Sequence, residues 1–190
     1  VESHAIPPIP VFVDSPLSKK ATEITEHHQE CYNNNLIGDV LKGDDPFKFP
    51  GLQFTNTVED SMKLNDAKGP MIIISASGMC EGGRILHHLR NSVSNPLNII
   101  LITGFQAENT LGRRIVEQAP IIKIFGEEHE LRSTVFTING LSGHADREGL
   151  CDYAATLGNV QQAFCVHGEK EYCEAHVESL RKLGIPSVHM

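Results

Sequence analysis

The sequence contains no tryptophan, and aromatic residues make up only 6% of its 190 positions. No apolar run comes near the roughly 18 residues that a membrane span needs. No charged start followed by an apolar stretch reads as a secretory signal. No membrane partner is therefore expected. The five cysteines, Cys31, Cys80, Cys151, Cys165 and Cys173, are odd in number and form no C-x-x-C pair. That argues against a disulfide framework or a zinc ribbon and fits reduced thiols in a cytoplasmic setting. Positive charge is also scarce, and the net charge is −8. Proteins that hold nucleic acid by charge alone are usually basic. Contact with RNA or DNA must then be local, or lie partly outside this chain. The common metal spacings are missing as well: there is no H-x-H and no H-E-x-x-H. A hydrolytic zinc site needs three or more protein ligands.

What remains is an ordinary apolar fraction of 40% in a chain long enough for one large domain, or one domain plus part of another. "IPVFVDSP" (9–16) reads as a strand that breaks at Pro16, and residues 17–32 read as a helix with Ser15 or Ser18 near its start. The polar stretch 33–50, with "NNN" and "GDD", reads as a loop. "VEDSMKLND" has the pattern of a short amphipathic helix. "PMIIIS", "NIILIT" and "IIKIFG" are short continuous apolar runs of the kind found in strands covered on both faces. "LRSTVFTING" predicts a longer strand, and "VQQAFCVHGE" a strand ending in a glycine turn. Helices are expected over "GGRILHHLR", "LGRRIVEQ", "REGLCDYAATL" and "KEYCEAHVESLRKLG", with a last short strand in "PSVHM". Strand and helix alternate almost throughout, which predicts an α/β fold with a mainly parallel sheet flanked by helices. In such sheets ligands gather beyond the carboxyl ends of the strands.

The informative residues fall at those ends. In "SASGMCEGGR" (75–84) a small-residue loop leads into a glycine-opened helix. Unused backbone N–H groups at a helix start suit an anion. Ser75, Ser77, Gly78 and Arg84 are therefore candidate phosphate contacts, and tight strand–helix packing is the plain alternative. This is not the P-loop pattern, since the Lys-Ser/Thr pair is absent. "TGFQAENTLGRR" (103–114) repeats the geometry, with Thr110 as a helix cap. Cys80 follows the first loop and reads as a buried structural thiol or a reactive one. His144 in "GLSGHAD" (140–146) and His167 in "VHGE" each follow a strand-like run, with one helix between them. Consecutive strands of a βαβ unit are commonly neighbours, so the two imidazoles are expected at one sheet edge. Such histidines act as metal ligand, proton donor or phosphate partner, or are simply satisfied polar groups. The doublets His27–His28 and His87–His88 sit on helices, where adjacent side chains diverge by about 100°, and read as structural. His4, His129, His176 and His189 offer no metal spacing.

Taken together and in order, "VDSPLSKKAT", "ISASGMCEGGRILHHL", "GFQAENTLGRRI", "GLSGHAD" and "VHGE" resemble the β-CASP branch of the metallo-β-lactamase superfamily, a group of RNA- and DNA-processing nucleases. The likeness covers nearly the whole chain and is greatest to bacterial and archaeal proteins of the RNA exonuclease type. It implies most of a β-CASP domain over residues 1–138. The returning C-terminal part of a metallo-β-lactamase αββα fold would follow over 139–190. By this resemblance His144 matches the histidine that protonates the leaving oxygen, and Asp146 the acid that orients it. Ser142 matches a phosphate-contacting serine, and His167 a zinc ligand. Gly143 departs from the family, which usually has alanine there. The family's H-x-H-x-D-H motif, its other zinc ligands and its first β-CASP acid would lie upstream. Val1 is therefore expected to be a cut into a longer protein. The implied cofactor is zinc, two ions in the complete protein. The implied partners are RNA and an upstream metallo-β-lactamase lobe, with a homodimer as one option. The resemblance implies a metal-dependent ribonuclease of unspecified endo or exo mode, with the isolated chain inactive. The alternative is a non-catalytic β-CASP partner for RNA binding or assembly.

Overall fold

A computed structural model describes residues 7–43, 45 and 47–190; His4 lies outside the described residues. The chain divides into two compact units, the first ending at Leu141 and the second running from Ser142 to Met190.

In the first unit β1 (Val11–Asp14) is the centre of a parallel three-stranded sheet. β2 (Leu52–Phe54) and β3 (Ile72–Ser75) flank it, with Val11 opposite both Leu52 and Ile72, and Asp14 opposite Ser75. α1 (Pro16–His27) starts where β1 stops, because Pro16 cannot continue a central strand but suits the first helical turn. Ser15 caps it, its Oγ accepting from Ser18 N at 3.2 Å. The stretch 33–50 is not all loop: α2 (Asn34–Leu41) occupies part of it, capped by Asn33. The asparagine run masks a helical spacing of Leu36, Ile37, Val40 and Leu41. α3 (Val58–Asp66) is capped by Thr57.

α4 (Ile85–Ser92) and α5 (Leu111–Val116) cover one side of β4 (Ile99–Ile102) and β5 (Ile121–Ile124). β4 pairs in parallel with β7 (Thr134–Thr137), Leu101 opposite Phe136. Ile100, Ile102, Ile122 and Ile124 point into the core with Leu89, Val93, Leu111 and Ile115. Burying each such side chain is worth about 1.5–3 kcal/mol. The alternate residues Ile99, Leu101 and Ile121 are exposed, so these strands are covered on one face only. β5 does not stand alone as the sequence pattern implies. It turns back as an antiparallel hairpin with β6 (Glu127–Glu130). Phe125 and Gly126 both have positive φ, as a two-residue hairpin loop of primed type requires. The charged sequence of β6 hides a strand that lies at an edge. The longer strand expected over 131–140 is only the four residues of β7.

The second unit is α6 (Arg147–Thr156), β8 (Gln162–Phe164), α7 (Lys170–Lys182) and β9 (Ser187–His189). β8 and β9 pair in parallel, and Cys165, Cys173, Val177, Leu180 and Val188 form its small core. The protein is thus a mixed α/β fold in which, among the described residues, three of the four hydrogen-bonded sheets are parallel.

Candidate functional site

At the carboxyl end of the first sheet, Asp14 is fully buried. Four side chains donate to its carboxylate. Oδ1 accepts from Thr55 Oγ1 and from Arg84 Nη1 at 2.6 Å. Oδ2 accepts from Ser61 Oγ at 2.5 Å and His88 Nε2 at 2.6 Å. Burial alone would raise this carboxyl, but the bonds from Ser61, Thr55, His88 and Arg84 outweigh it and hold it down to about 2. His88 is buried and held on both ring nitrogens, its Nδ1 paired with the Asn65 side chain at 2.9 Å.

The candidate phosphate residues of this unit surround the same strand end. Ser75 Oγ donates to the Asp14 backbone carbonyl at 3.1 Å, and Arg84 also reaches Thr55 Oγ1 at 3.2 Å. The loop between β3 and α4 closes on itself, with Ser77 N donating to Gly82 O and Ile85 N to Ala76 O. Gly83, at φ +81, lies so close to Ala76 that a Cβ would sit 2.5 Å from its carbonyl oxygen, so only glycine fits. This closure corrects one expectation. The N–H groups of Ile85, Leu86 and His87 at the start of α4 already bond loop carbonyls, and an anion would not find them unused. Arg84, the Ser75 and Ser77 hydroxyls and the exposed backbone of Gly78 are what the loop presents.

The second glycine-bearing loop is stitched to the first. Buried Gln106 donates through Nε2 to the carbonyls of Gly78, Gly104 and Phe105. Glu81 Oε1 accepts from Leu111 N, and Gly112 N donates to Met79 O. A Cβ at position 112 would fall 1.7 Å from Gln106 Oε1. Thr110 caps α5 as its position suggests. Cys80, between these loops, is buried, and burial followed by the nearby Glu81 pushes its thiol up to about 11. It packs in the core of the first unit.

The second unit presents its candidates differently. Ser142, His144, Asp146 and His167 are all exposed. Ser142 Oγ accepts from His144 N at 3.2 Å, fixing the turn that lifts the imidazole. Asp146 caps α6, its Oδ1 accepting from Gly149 N at 2.8 Å. It orients the start of the helix that follows His144 rather than bonding the ring. His167 has φ +63, a left-handed backbone uncommon outside glycine. Gly168 lets that turn press on Cys173, whose Sγ would be 2.7 Å from an added Cβ. Within the first unit β7 pairs with β4, and within the second β8 pairs with β9.

Among the described residues no group of three or more His, Cys, Asp or Glu side chains could hold a metal ion. Zinc needs at least three such donors. The donors among the described residues do not by themselves complete a zinc site. The sequence patterns also pass over Asp14, Gln106 and Glu81. The available signal was an acid closing the apolar run "VFVD", where burial forces a carboxylate to find partners.

Comparison with known proteins supplies the context. Residues 1–115 match the family model described as the Beta-Casp domain. Residues 128–190 match the Zn-dependent metallo-hydrolase RNA specificity domain. The chain is 36% identical over 168 residues to ribonuclease TTHA0252 of Thermus thermophilus, covering 88% of this chain and 38% of the relative. It is 29% identical over 189 residues to the transcription termination factor FttA of Methanosarcina mazei, covering 96% and 30%. It is 30% identical over 170 residues to an RNase J-like protein of Methanocaldococcus jannaschii, covering 90% and 38%. The chain thus spans about a third of the length of the curated relatives it matches.

Proposed function

This chain belongs to the β-CASP family of the metallo-β-lactamase superfamily, a family of RNA-processing nucleases, and from that premise we propose that it is the C-terminal part of a zinc-dependent ribonuclease. Residues 1–138 form most of the β-CASP lobe, and 139–190 return to the metallo-β-lactamase domain. Ser75, Ser77, Gly78 and Arg84 are the phosphate contacts of the first unit, and Ser142 is a phosphate contact of the second. His144 is the acid that gives a proton to the departing 3′-oxygen, a role worth about 10²–10⁴-fold in rate. Asp146 sets its position through the helix it caps. Zinc, two ions in the complete protein, would supply the activated water. His167 is one of its ligands, and the others come from an upstream lobe.

The observation that carries the reading is the exposed His144, on a turn fixed by Ser142, just inside a segment that matches an RNA specificity domain. Exposed apolar side chains support docking against a further lobe: Ile99, Leu101 and Phe136 in the first unit, and Tyr153, Phe164 and Val166 in the second. Parallel strands are normally covered on both faces.

The test uses the longer protein that contains this chain, assayed for zinc by elemental mass spectrometry and for cleavage of a labelled RNA. Zinc with cleavage, both lost or reduced in His167→Ala, supports the reading. The isolated 190-residue chain should carry little zinc and cleave nothing. A zinc-free, inactive long protein that still binds RNA would replace it with a non-catalytic β-CASP partner.

A further inference from the structure

Nothing in the sequence motifs gives Asp14 a role, yet it bonds two of the candidate phosphate residues, Arg84 and Ser75. Its carboxylate binds Arg84 at 2.6 Å, and its backbone carbonyl binds Ser75 Oγ at 3.1 Å. It draws these into a cluster with β2 through Thr55, α3 through Ser61 and α4 through His88. The carboxylate is wholly buried, while the Arg84 side chain keeps 19% of its surface exposed. Arg84 Nη1 makes the bonds to Asp14 and Thr55, and a guanidinium has five donors in a rigid planar fork. Fixing one nitrogen of a planar group fixes the direction of the rest.

We infer that Asp14 is a positioning residue for RNA phosphate, acting through Arg84 and Ser75 without touching the RNA. The inference rests on the phosphate-contacting reading of Arg84 given above. Two roles for the carboxylate make opposite forecasts. A plain counter-charge weakens the pull of Arg84 on phosphate, so removing it should tighten RNA binding. A positioning residue spends that charge to hold the fork in place, so removing it should weaken binding. The second role follows from the four-donor cage. A carboxylate held by Thr55, Ser61 and His88 cannot move with Arg84 and serves as a fixed anchor.

The experiment measures binding of a 5′-phosphorylated ten-nucleotide oligoadenylate to the longer protein that contains this chain, carrying His144→Ala throughout to block cleavage, by fluorescence anisotropy across a salt series. Arg84→Ala should weaken binding roughly tenfold, the size of one charge-assisted hydrogen bond. It should also flatten the slope of log K against log salt by about 0.7, as for one lost phosphate contact on a single strand. Asp14→Asn should weaken binding roughly fivefold and add nothing in the Arg84→Ala background. A fold defect would add to the loss there too. Circular dichroism at the assay temperature checks that Asp14→Asn is folded. If it is not, Ser61→Ala, which keeps the charge but removes one anchor, should weaken binding roughly twofold and again be silent beside Arg84→Ala. A parent protein, with His144→Ala alone, that binds no oligonucleotide, or an Arg84→Ala variant that binds normally, overturns the phosphate reading and this inference with it. An Arg84→Ala variant that binds weakly while Asp14→Asn binds as well as the parent, or better, overturns the inference alone. So does a further loss in the double variant.

Discussion

Asp14 and His144 each follow an apolar run, and the two units treat them in opposite ways. Asp14 is fully buried, takes four side-chain donors and is held far below the usual carboxylate range. His144 is exposed, and the bond that fixes it runs from its backbone N–H to Ser142, leaving the ring to solvent. A buried charge must be satisfied inside the unit that contains it, because an unpaired one costs several kcal/mol. An exposed imidazole costs almost nothing to leave open, so it can wait for a substrate. The first unit therefore completes its polar cluster alone, and the second presents groups whose chemistry needs something brought to them.

The contrast can be broken most sharply at His144. In the longer protein, His144→Ala should slow RNA cleavage about 10²–10⁴-fold while shifting stability by no more than about 0.5 kcal/mol. Wild-type turnover in that variant would leave both residues structural. Next comes Asp14→Ala, which strands Arg84 and His88 around an empty cage and should cost about 3–5 kcal/mol in urea unfolding of the chain. A loss below about 1 kcal/mol would mean that water, not the protein, satisfies the cluster.

The same residue sets a pH test. Its folded pKa, about 2, lies below the 3.8 of an ordinary aspartate. Its contribution is complete above about 3.8 and is lost as pH falls through about 2. Acid unfolding followed by circular dichroism should show that loss in the wild type and a flatter profile in Asp14→Asn. Equal profiles would remove Asp14 from the account.

Smaller effects sharpen the comparison. Gly112→Ala should cost about 1–3 kcal/mol, since the methyl meets Gln106 Oε1, and Gln106→Ala should recover part of it in the double variant. No recovery would place the clash elsewhere. Smallest is the cap at α6. Asp146→Ala should cost about 1 kcal/mol and Asp146→Asn almost none. If Asp146→Asn keeps its melting temperature but cleaves more slowly, the carboxylate charge acts on His144 beyond holding the helix.

Much of this was legible in the sequence. The cap residues Ser15 and Thr110 stand where side-chain oxygen must meet free helix N–H groups, and the continuous apolar runs mark the strands. Ser75 ends β3, and His167 follows closely on β8. What stayed hidden depended on distant pairing. β6 is charged because an edge strand faces water, so no alternation marks it. Asp14 is one acid among many until folding brings Thr55, Ser61, Arg84 and His88 around it, over sequence distances of 41 to 74 residues. The two glycine-bearing loops read as repeats of one device. Their union through Gln106 and Glu81 is visible only once they are folded.

That union bears on how the loops open. Leu111 N–H is held by Glu81, and Gly112 N–H by Met79, so neither amide of α5 can reach solvent unless the other loop lets go. Segments joined this way exchange their hydrogens as one cooperative unit. The two loops should therefore keep a common clock in deuterium exchange, and a ligand resting on either one would slow both.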